Sequence, residues 1–146
     1  MSTQFPAPRF FRSAVLCTAA LGVGGALRAE VIDVDAAQLA RMAADGVTVV
    51  DIRGADEWRA TGVVQGSRQL TYAIDAQGRD PHWVDKVKTI VRPDQPVVLI
   101  CRSGVRSAAA ARQLDEAGYK KVYHVLGGIT AWINAGRPVV PPGNTP

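Results

Sequence analysis

The feature that most restricts the fold is a continuous apolar run, VVLI at residues 97–100, followed by a short polar loop and an alanine-rich stretch. Four apolar residues without alternation are typical of a strand covered on both faces, as strands of parallel sheets are. In residues 107–117 apolar side chains recur at helical spacing, and Gly118 stands where a glycine commonly ends a helix. The pattern therefore predicts a buried strand, a tight loop and a helix.

The same alternation of elements extends through the chain from residue 47. Apolar, β-branched runs predict strands, while helical spacing or capping signals predict helices. The predicted strands are residues 47–52, 67–72, 97–100 and 122–126, and the predicted helices are residues 56–60, 80–91, 107–117 and 129–134. Asp80 and Pro81 are predicted as the N-cap and first residue of the second helix, and Pro93 as its terminator. Strands alternating with helices predict an α/β domain with a mostly parallel sheet.

The N-terminal segment has the pattern of an export signal. Arg9 and Arg12 precede an uncharged run at residues 13–27. This run is short for a membrane span, which needs about 20 apolar residues, but suits the apolar part of a signal peptide. Cleavage is predicted after Ala29 or Ala26, and an uncleaved N-terminal anchor is the alternative. We expect export to the periplasm, without stable membrane insertion once the leader is removed. The predicted organisation is a signal peptide, a domain and a tail, at residues 1–29, 30–140 and 141–146.

The distribution of charge argues against a nucleic-acid partner. The net charge is +4, from 17 Lys and Arg and 13 Asp and Glu. Three of the arginines lie in residues 1–29, which contain no acidic residue, so the rest of the chain carries 14 basic and 13 acidic residues. The sequence has no basic stripe with interleaved aromatic residues, the pattern of a nucleic-acid-binding surface. We therefore expect no nucleic-acid partner.

Cys101, directly after the apolar run, is the candidate reactive residue. Cys17 lies in the predicted leader, so removal of the leader leaves Cys101 without a partner for an internal disulfide. A buried, inert cysteine is the alternative, because cysteine is common in protein cores. The amides of a tight loop, the N-terminus of the next helix and the charges of Arg102 and Arg106 all favour a thiolate. Gly104 permits the close backbone approach of such a loop. The sequence therefore predicts a nucleophilic thiolate.

Three stretches of the sequence, in order, resemble the signatures of rhodanese-like sulfurtransferases. CRSGVRS at residues 101–107 resembles the active loop of that family, which has six residues and begins with the cysteine. VVDIRGADEW at residues 49–58 resembles the first signature, and GGITAW at residues 127–132 resembles the closing one. The resemblance extends over residues 33–139. It implies a three-layer α/β domain with a mostly parallel central sheet and helices on both faces.

The resemblance implies a sulfurtransferase in which Cys101 carries a persulfide. Its thiolate would take the outer sulfur of a small anionic donor such as thiosulfate and pass it to cyanide or a thiol, without a cofactor. The family pattern specifies no protein partner. The residues implied to bind the substrate are those of the loop: Arg102, Ser103, Gly104, Val105, Arg106 and Ser107. For Arg106, a salt bridge, for instance with Asp51, is an equal alternative. Asp51 and Arg53 are expected to order the loop.

Two segments depart from the family pattern. GVVQGS at residues 62–67 stands where the family commonly has Gly-His-Ile-Pro-Gly-Ala. Both glycines are kept, so we expect the turn to persist with altered chemistry at its rim. Residues 75–95 match no family signature and are a candidate for shaping the entrance to the site. Within them, His82, Trp83 and Lys86 are interpreted as surface and packing residues.

Two other functions use a similar loop. Protein tyrosine phosphatases and dual-specificity phosphatases have the pattern Cys-x5-Arg, whereas here Arg106 follows Cys101 after four residues and Ser107 takes the phosphatase position. The shorter loop favours a single sulfur atom over phosphate or arsenate. A persulfide carrier or sulfide-sensing module would use the same residues as an enzyme. His82, His124 and Cys101 lack the spacing of metal ligands, so no metal site is predicted.

Overall fold

The computed structural model describes Met1 and residues 30–143. Apart from Met1, the predicted signal peptide lies outside the described residues, as do residues 144–146 of the predicted tail. The described part of the chain contains five strands and five helices. The strands are β1 Val31–Val34, β2 Thr48–Asp51, β3 Arg68–Gln69, β4 Val97–Ile100 and β5 Val122–Val125. The helices are α1 Ala36–Ala44, α2 Ala55–Thr61, α3 Trp83–Lys88, α4 Val105–Glu116 and α5 Gly128–Asn134.

The five strands form one sheet in the order β1-β5-β4-β2-β3, and every neighbouring pair is parallel. β4 lies at the centre and pairs with β2 on one side and β5 on the other. All four of its residues are buried, which confirms the prediction of a strand covered on both faces. The carboxyl ends of the parallel strands meet at one edge of the sheet, where open α/β sheets bind ligands.

Apolar side chains from alternate positions of the strands pack into two separate cores. Val97 and Leu99 of β4 belong to one core, whereas Val98 and Ile100 belong to the other. The first core is closed by apolar residues of α3 and α4: Trp83, Val87, Ala110, Ala111 and Leu114. The second core is closed by apolar residues of α1 and α5: Ala36, Leu39, Ile129 and Trp132. The molecule therefore has the predicted three layers, with helices on both faces of the sheet.

The first two elements, β1 and α1, precede the part of the chain in which the sequence predicted elements. α1 begins with a capping box: the Gln38 amide donates to Asp35 Oδ1 at 2.7 Å, and the Asp35 amide donates to Gln38 Oε1 at 2.9 Å. The spacing Asp-x-x-Gln is therefore a signal in the sequence that the prediction did not use. β1 gave a weaker signal, because VIDV is short and contains a charged residue.

The prediction for residues 80–91 is wrong at both ends of the helix. α3 begins at Trp83, with His82 as its N-cap, and ends at Lys88. Asp80 is not the N-cap, because its carboxylate accepts hydrogen bonds from the amides of Ala73 and His82, at 3.2 and 3.1 Å. Asp80 therefore fixes a turn before the helix.

Trp83 is a core residue, as its interpretation as a packing residue requires. It is fully buried, and its ring meets that of Tyr72 edge to face with centroids 5.1 Å apart. Gly62 and Gly66 both have positive φ, so the turn expected in residues 62–67 is present. In the described part of the chain, no helix combines the length and the apolar character needed to cross a membrane.

Candidate active site

Cys101 is the first residue after β4, at the carboxyl edge of the sheet, and α4 begins four residues later at Val105. The chain reverses at Gly104, which has a φ of +96°. A Cβ atom there would lie 3.2 Å from the carbonyl oxygen of Val125 and 3.3 Å from the amide nitrogen of Gly127. Both the backbone conformation and the space therefore require glycine at this position.

The sulfur of Cys101 lies inside this loop rather than on the surface. Only 1% of the residue is exposed. The Gly104 amide donates a hydrogen bond to Sγ at 3.1 Å, and Sγ lies 3.5 Å from Ser107 Oγ. An amide that points at sulfur stabilises negative charge there. Ser107, predicted as a substrate-binding residue, is buried behind the sulfur.

Several other amides of the loop are free to bind an anion. Among the described residues, no hydrogen-bond acceptor is found for the amides of Arg102, Ser103, Val105, Arg106 and Ser107. The last three belong to the first turn of α4, where amides lack acceptors within the helix. The positive end of a 12-residue helix therefore adjoins the sulfur and favours negative charge near it.

The loop is held from behind by the N-terminus of α5. The Ile129 amide donates to the Cys101 carbonyl at 2.8 Å, and Thr130 donates to the Arg102 carbonyl through its amide at 3.3 Å and its hydroxyl at 3.0 Å. Gly128 has a φ of +58°, and a Cβ atom on it would lie 2.3 Å from the Cys101 carbonyl oxygen. The stretch GGITAW therefore has a physical role: its first turn is the support on which the cysteine loop rests.

Arg106 is paired with Glu57 and not with Asp51. Its guanidinium donates to both carboxylate oxygens of Glu57, at 2.6 and 2.9 Å. The hydrogen bond from Arg106 is the main reason why the pKa of Glu57 lies below its ordinary value. The same bond raises the pKa of Arg106. The pair is two-thirds buried and joins α2 to the first turn of α4, so it fixes the direction of Arg106 at the loop.

Asp51 and Arg53 act on the loop only indirectly. They form a buried ion pair in which Arg53 Nη2 lies 2.7 Å from Asp51 Oδ2. Arg53 also donates to Thr61 Oγ1 at 2.6 Å and to the Gly62 carbonyl at 2.7 Å, at the C-terminal end of α2. The pair therefore fixes α2 against β2, and α2 in turn carries Glu57 to Arg106.

Arg102 lies at the surface beside a cavity of about 380 Å³. No carboxylate partner is found for its guanidinium in the part of the chain that the structure describes. The cavity has apolar walls and a few charged and polar groups; its lining residues are Arg53, Glu57, Ala60, Thr61, Arg102, Ile129, Thr130, Ile133 and Asn134. A solvent-facing cation beside such a cavity suits an anionic substrate. None of residues 75–95 lines this cavity.

His124 and its partner Asp33, like Glu57, were not among the predicted site residues. His124, on β5, is only 6% exposed, and its Nδ1 lies 3.4 Å from Ser107 Oγ. Its Nε2 lies 2.6 Å from Asp33 Oδ1, on β1. Alternation along β5 places His124 on the same face as the core residue Val122, a signal that the sequence offered. Within residues 30–143, no group of His, Cys, Asp and Glu could hold a metal ion.

The fold and the site together define an α/β domain with a cysteine at the carboxyl edge of a parallel sheet. The sulfur of this cysteine accepts a hydrogen bond from a backbone amide of its loop. Residues 35–135 match the profile of the Rhodanese-like domain family. The match covers more than half of the chain, so the chain belongs to that family.

Relatives in the family include proteins named as sulfurtransferases. The chain is 32% identical to thiosulfate sulfurtransferase 18 of Arabidopsis thaliana, over 75% of this chain and 84% of the relative. It is 34% identical to a sulfurtransferase of Allochromatium vinosum, over 75% of this chain and 95% of the relative. A solved structure from Rhodopseudomonas palustris, of a protein of unknown function described as a possible tyrosine phosphatase, is 32% identical with a TM-score of 0.61. It covers 75% of this chain and 85% of that chain. The chain is therefore similar in sequence to named sulfurtransferases and has the fold of the rhodanese-like family.

Proposed function

We propose that the protein is a sulfurtransferase that moves a sulfane sulfur from thiosulfate, or a similar small anion, to cyanide or a thiol. The observation that carries the proposal is the hydrogen bond of 3.1 Å from the Gly104 amide to Cys101 Sγ, in a loop with further free amides. The names of the relatives supply the chemical class. No cofactor is needed for this reaction.

In the first step, the Cys101 thiolate attacks the outer sulfur of thiosulfate. A new S–S bond forms between the enzyme and that sulfur, while the S–S bond of thiosulfate breaks and its electron pair leaves with sulfite. The product is a Cys101 persulfide with a negative charge on the outer sulfur. The free amides of the loop would accept that charge, as an oxyanion hole accepts a developing oxyanion.

In the second step, cyanide or an acceptor thiolate attacks the outer sulfur of the persulfide. A bond forms from the acceptor to this sulfur, the enzyme's S–S bond breaks, and its electron pair returns to Cys101 as the thiolate. Arg102, which faces solvent beside the cavity, would attract the anionic donor. Arg106 would act mainly as a fixed charge near the sulfur, because its guanidinium is already bound by Glu57.

The first prediction concerns the persulfide. Intact-mass measurement after treatment with thiosulfate and desalting should show the gain of one sulfur atom, and Cys101→Ser should show none. Turnover with thiosulfate and cyanide should fall by at least about 10³-fold in Cys101→Ser, because the substitution removes the nucleophile of the proposed mechanism. The thermal unfolding midpoint of the variant should remain close to that of the wild type. Sulfur transfer at the native rate by the variant would refute the mechanism.

These assays, together with an assay of phosphate-ester hydrolysis, separate the alternatives. A stable persulfide with negligible turnover would identify a carrier or sulfide-sensing module that serves a protein partner. Hydrolysis of p-nitrophenyl phosphate that depends on Cys101 would instead identify a phosphatase. The six-residue loop and the pairing of Arg106 with Glu57 argue against phosphate, because both limit the space and the charge available to a tetrahedral anion.

We also propose that the protein is exported to the periplasm through the leader at residues 1–29. The pattern of two arginines followed by an uncharged run supports this proposal. Intact mass of the protein recovered from the periplasm would locate the mature N-terminus. A chain that retains residue 1 would point instead to an uncleaved anchor.

A further inference from the structure

A continuous series of polar contacts leads from the cysteine to the edge strand β1 of the sheet. Cys101 Sγ lies 3.5 Å from Ser107 Oγ, and Ser107 Oγ lies 3.4 Å from His124 Nδ1. His124 Nε2 lies 2.6 Å from Asp33 Oδ1. The first two distances are at the long end of hydrogen bonding, as is common at catalytic sites before a substrate is bound. The series joins the loop to α4, β5 and β1.

This series of polar contacts connects a buried thiol with solvent. Cys101 and Ser107 are buried, and the side chain of His124 is 8% exposed, whereas that of Asp33 is 58% exposed. Asp33 and His124 are register partners in the parallel pair β1–β5, so their side chains lie on the same face of the sheet. The edge strand β1 therefore carries the solvent end of the series, and the central strand β4 leads to its buried end.

We infer that Ser107, His124 and Asp33 form a proton relay that takes the proton from Cys101 and sets the reactivity of its sulfur. This inference rests on the proposed role of Cys101 as a nucleophile. Ser107 and His124 are positioning and proton-carrying residues here, and neither forms a bond to sulfur. The reaction with a donor needs the thiolate, so the proton must leave the buried sulfur before or during attack.

The proton movement balances in two coupled transfers. The Cys101 S–H proton passes to Ser107 Oγ while the proton already on Oγ passes to His124 Nδ1. Sulfur is left with the electron pair of its S–H bond and a negative charge, and His124 becomes an imidazolium. Its Nε2–H is held by the Asp33 carboxylate, which stabilises the positive charge.

Every hydrogen of the relay has an acceptor both before and after the transfer. Before it, the thiol donates to Ser107, Ser107 to His124, and His124 Nε2–H to Asp33. After it, His124 Nδ1–H donates to Ser107, and Ser107 donates back to the thiolate. Before the transfer, Ser107 can also donate to the Gly104 carbonyl, 3.0 Å away. Its hydroxyl therefore has an alternative hydrogen-bond acceptor between turnovers.

Few charges other than those of the relay face His124. Asp33 faces it from β1 and Ser107 from α4, while its register partner on β4 is the apolar Leu99. Arg106, the neighbour of Ser107 on α4, directs its guanidinium to Glu57. Asp33 and Ser107 are therefore the polar side chains in contact with the imidazole of His124.

The relay is tested by the rate at which iodoacetamide alkylates Cys101, measured across pH in full-length protein by mass spectrometry of the peptide that contains Cys101, so that Cys17 does not contribute. Alkylation needs only the thiolate, because an S–C bond forms and iodide leaves, so it does not depend on a sulfur donor. At neutral pH the rate should fall by about 10²-fold in Ser107→Ala and His124→Gln, the low end of general-base contributions. At high pH, where hydroxide removes the proton, all rates should converge. The double variant should be no slower than either single variant.

Tyr123→Phe is the matched control, because Tyr123 neighbours His124 on β5 but packs against the opposite core. It should leave the alkylation profile unchanged. Asp33→Asn should shift the profile in the same direction as His124→Gln, by a smaller amount. If Ser107→Ala and His124→Gln slow alkylation equally at every pH, or not at all, the relay is refuted and His124 is structural. Failure of sulfur transfer with the predicted alkylation profiles would refute the proposed function and leave the relay standing.

Discussion

The carboxylate of Glu57 accepts hydrogen bonds from two different parts of the molecule. Its Oε2 accepts the Gly54 amide at 3.1 Å, which closes the first turn of α2, and also accepts from Arg106 at 2.9 Å. Oε1 accepts the second hydrogen bond from Arg106 at 2.6 Å. One carboxylate therefore joins a helix start to the cysteine loop, across 49 residues of sequence. The motif VVDIRGADEW contains Glu57, but no local pattern in the sequence identifies Arg106 as its partner.

Replacement of Glu57 by Gln should lower the free energy of unfolding at neutral pH by about 1 kcal/mol or less, since a third of the side chain is exposed. The pKa of Glu57 is lowered by Arg106, so its ionised form stabilises the fold above the ordinary glutamate range. That contribution is lost as the pH falls through the lowered pKa. The difference between wild type and variant should therefore shrink in acid. Urea unfolding at several pH values measures it.

Asp94→Asn provides the control for Glu57→Gln. Its ion pair with Arg92 is mostly exposed, so its removal should change stability little at any pH. A difference between Glu57→Gln and wild type that stays constant from neutral to acid pH would contradict a role for the ionised carboxylate.

At the scale of elements, the cysteine loop depends on α5, a helix that follows it by more than twenty residues. The first turn of α5 donates three hydrogen bonds to the carbonyls of Cys101 and Arg102. Gly128 lets the two backbones approach, since a Cβ atom there would lie 2.3 Å from the Cys101 carbonyl oxygen. The shape of the cysteine loop is therefore set as much by α5 as by β4 and α4.

Gly128→Ala should displace the loop and lower sulfur transfer by more than the loss of stability explains. Gly136→Ala is the matched control, because Gly136 also has a positive φ, +69°, but a Cβ atom there meets nothing within 4 Å. Gly136→Ala should lower the free energy of unfolding by about 1–2 kcal/mol and leave turnover unchanged. Unfolding measurements and turnover with thiosulfate and cyanide compare the two. Equal losses of activity would show that the contact with Cys101 does not matter.

The sequence predicted elements well where a pattern was strong and local. The bounds of β4 are as predicted, and α4 begins two residues earlier than expected. The predicted start of α3 was wrong, because Asp80 and Pro81 have the pattern of a helix start. In the structure, the Asp80 carboxylate accepts from the Ala73 amide and the Asp80 carbonyl accepts from the Gln113 side chain. Such bonds join distant parts of the chain and leave no local pattern. The cysteine loop was identified from sequence, but the contacts that hold it were not, for the same reason.

At the scale of the whole molecule, residues 75–95 complete one of the two cores. Trp83 and Val87 are fully buried against the sheet and α4, and the Tyr72 hydroxyl donates to Gln113 at 2.8 Å. This segment matched no family signature, yet it covers one face of the sheet. The segment therefore has a packing role in the domain.

Trp83→Ala should destabilise the domain by about 3–5 kcal/mol, because it removes a fully buried aromatic side chain. This loss is a large part of the total stability of an ordinary domain. Trp83→Phe keeps a ring and should cost less. In both variants the alkylation rate of Cys101 per folded molecule should match wild type at temperatures below unfolding. A slower rate in the folded Phe variant would show that the segment also shapes the site.

The parallel arrangement of the sheet has a consequence for how the protein is made. Asp33, Glu57, Cys101, His124 and Gly128 meet at the site although 95 residues separate the first from the last. A nascent chain that has emerged only as far as Cys101 carries the thiol but neither His124 nor the helix that supports the loop. Cys101 then lacks the support of α5 and the contact of Ser107 with His124. Both are in place only after β5 has formed and α5 has packed against the loop. The environment of the cysteine is thus completed late in the folding of this domain, after residues 124–130 have been made.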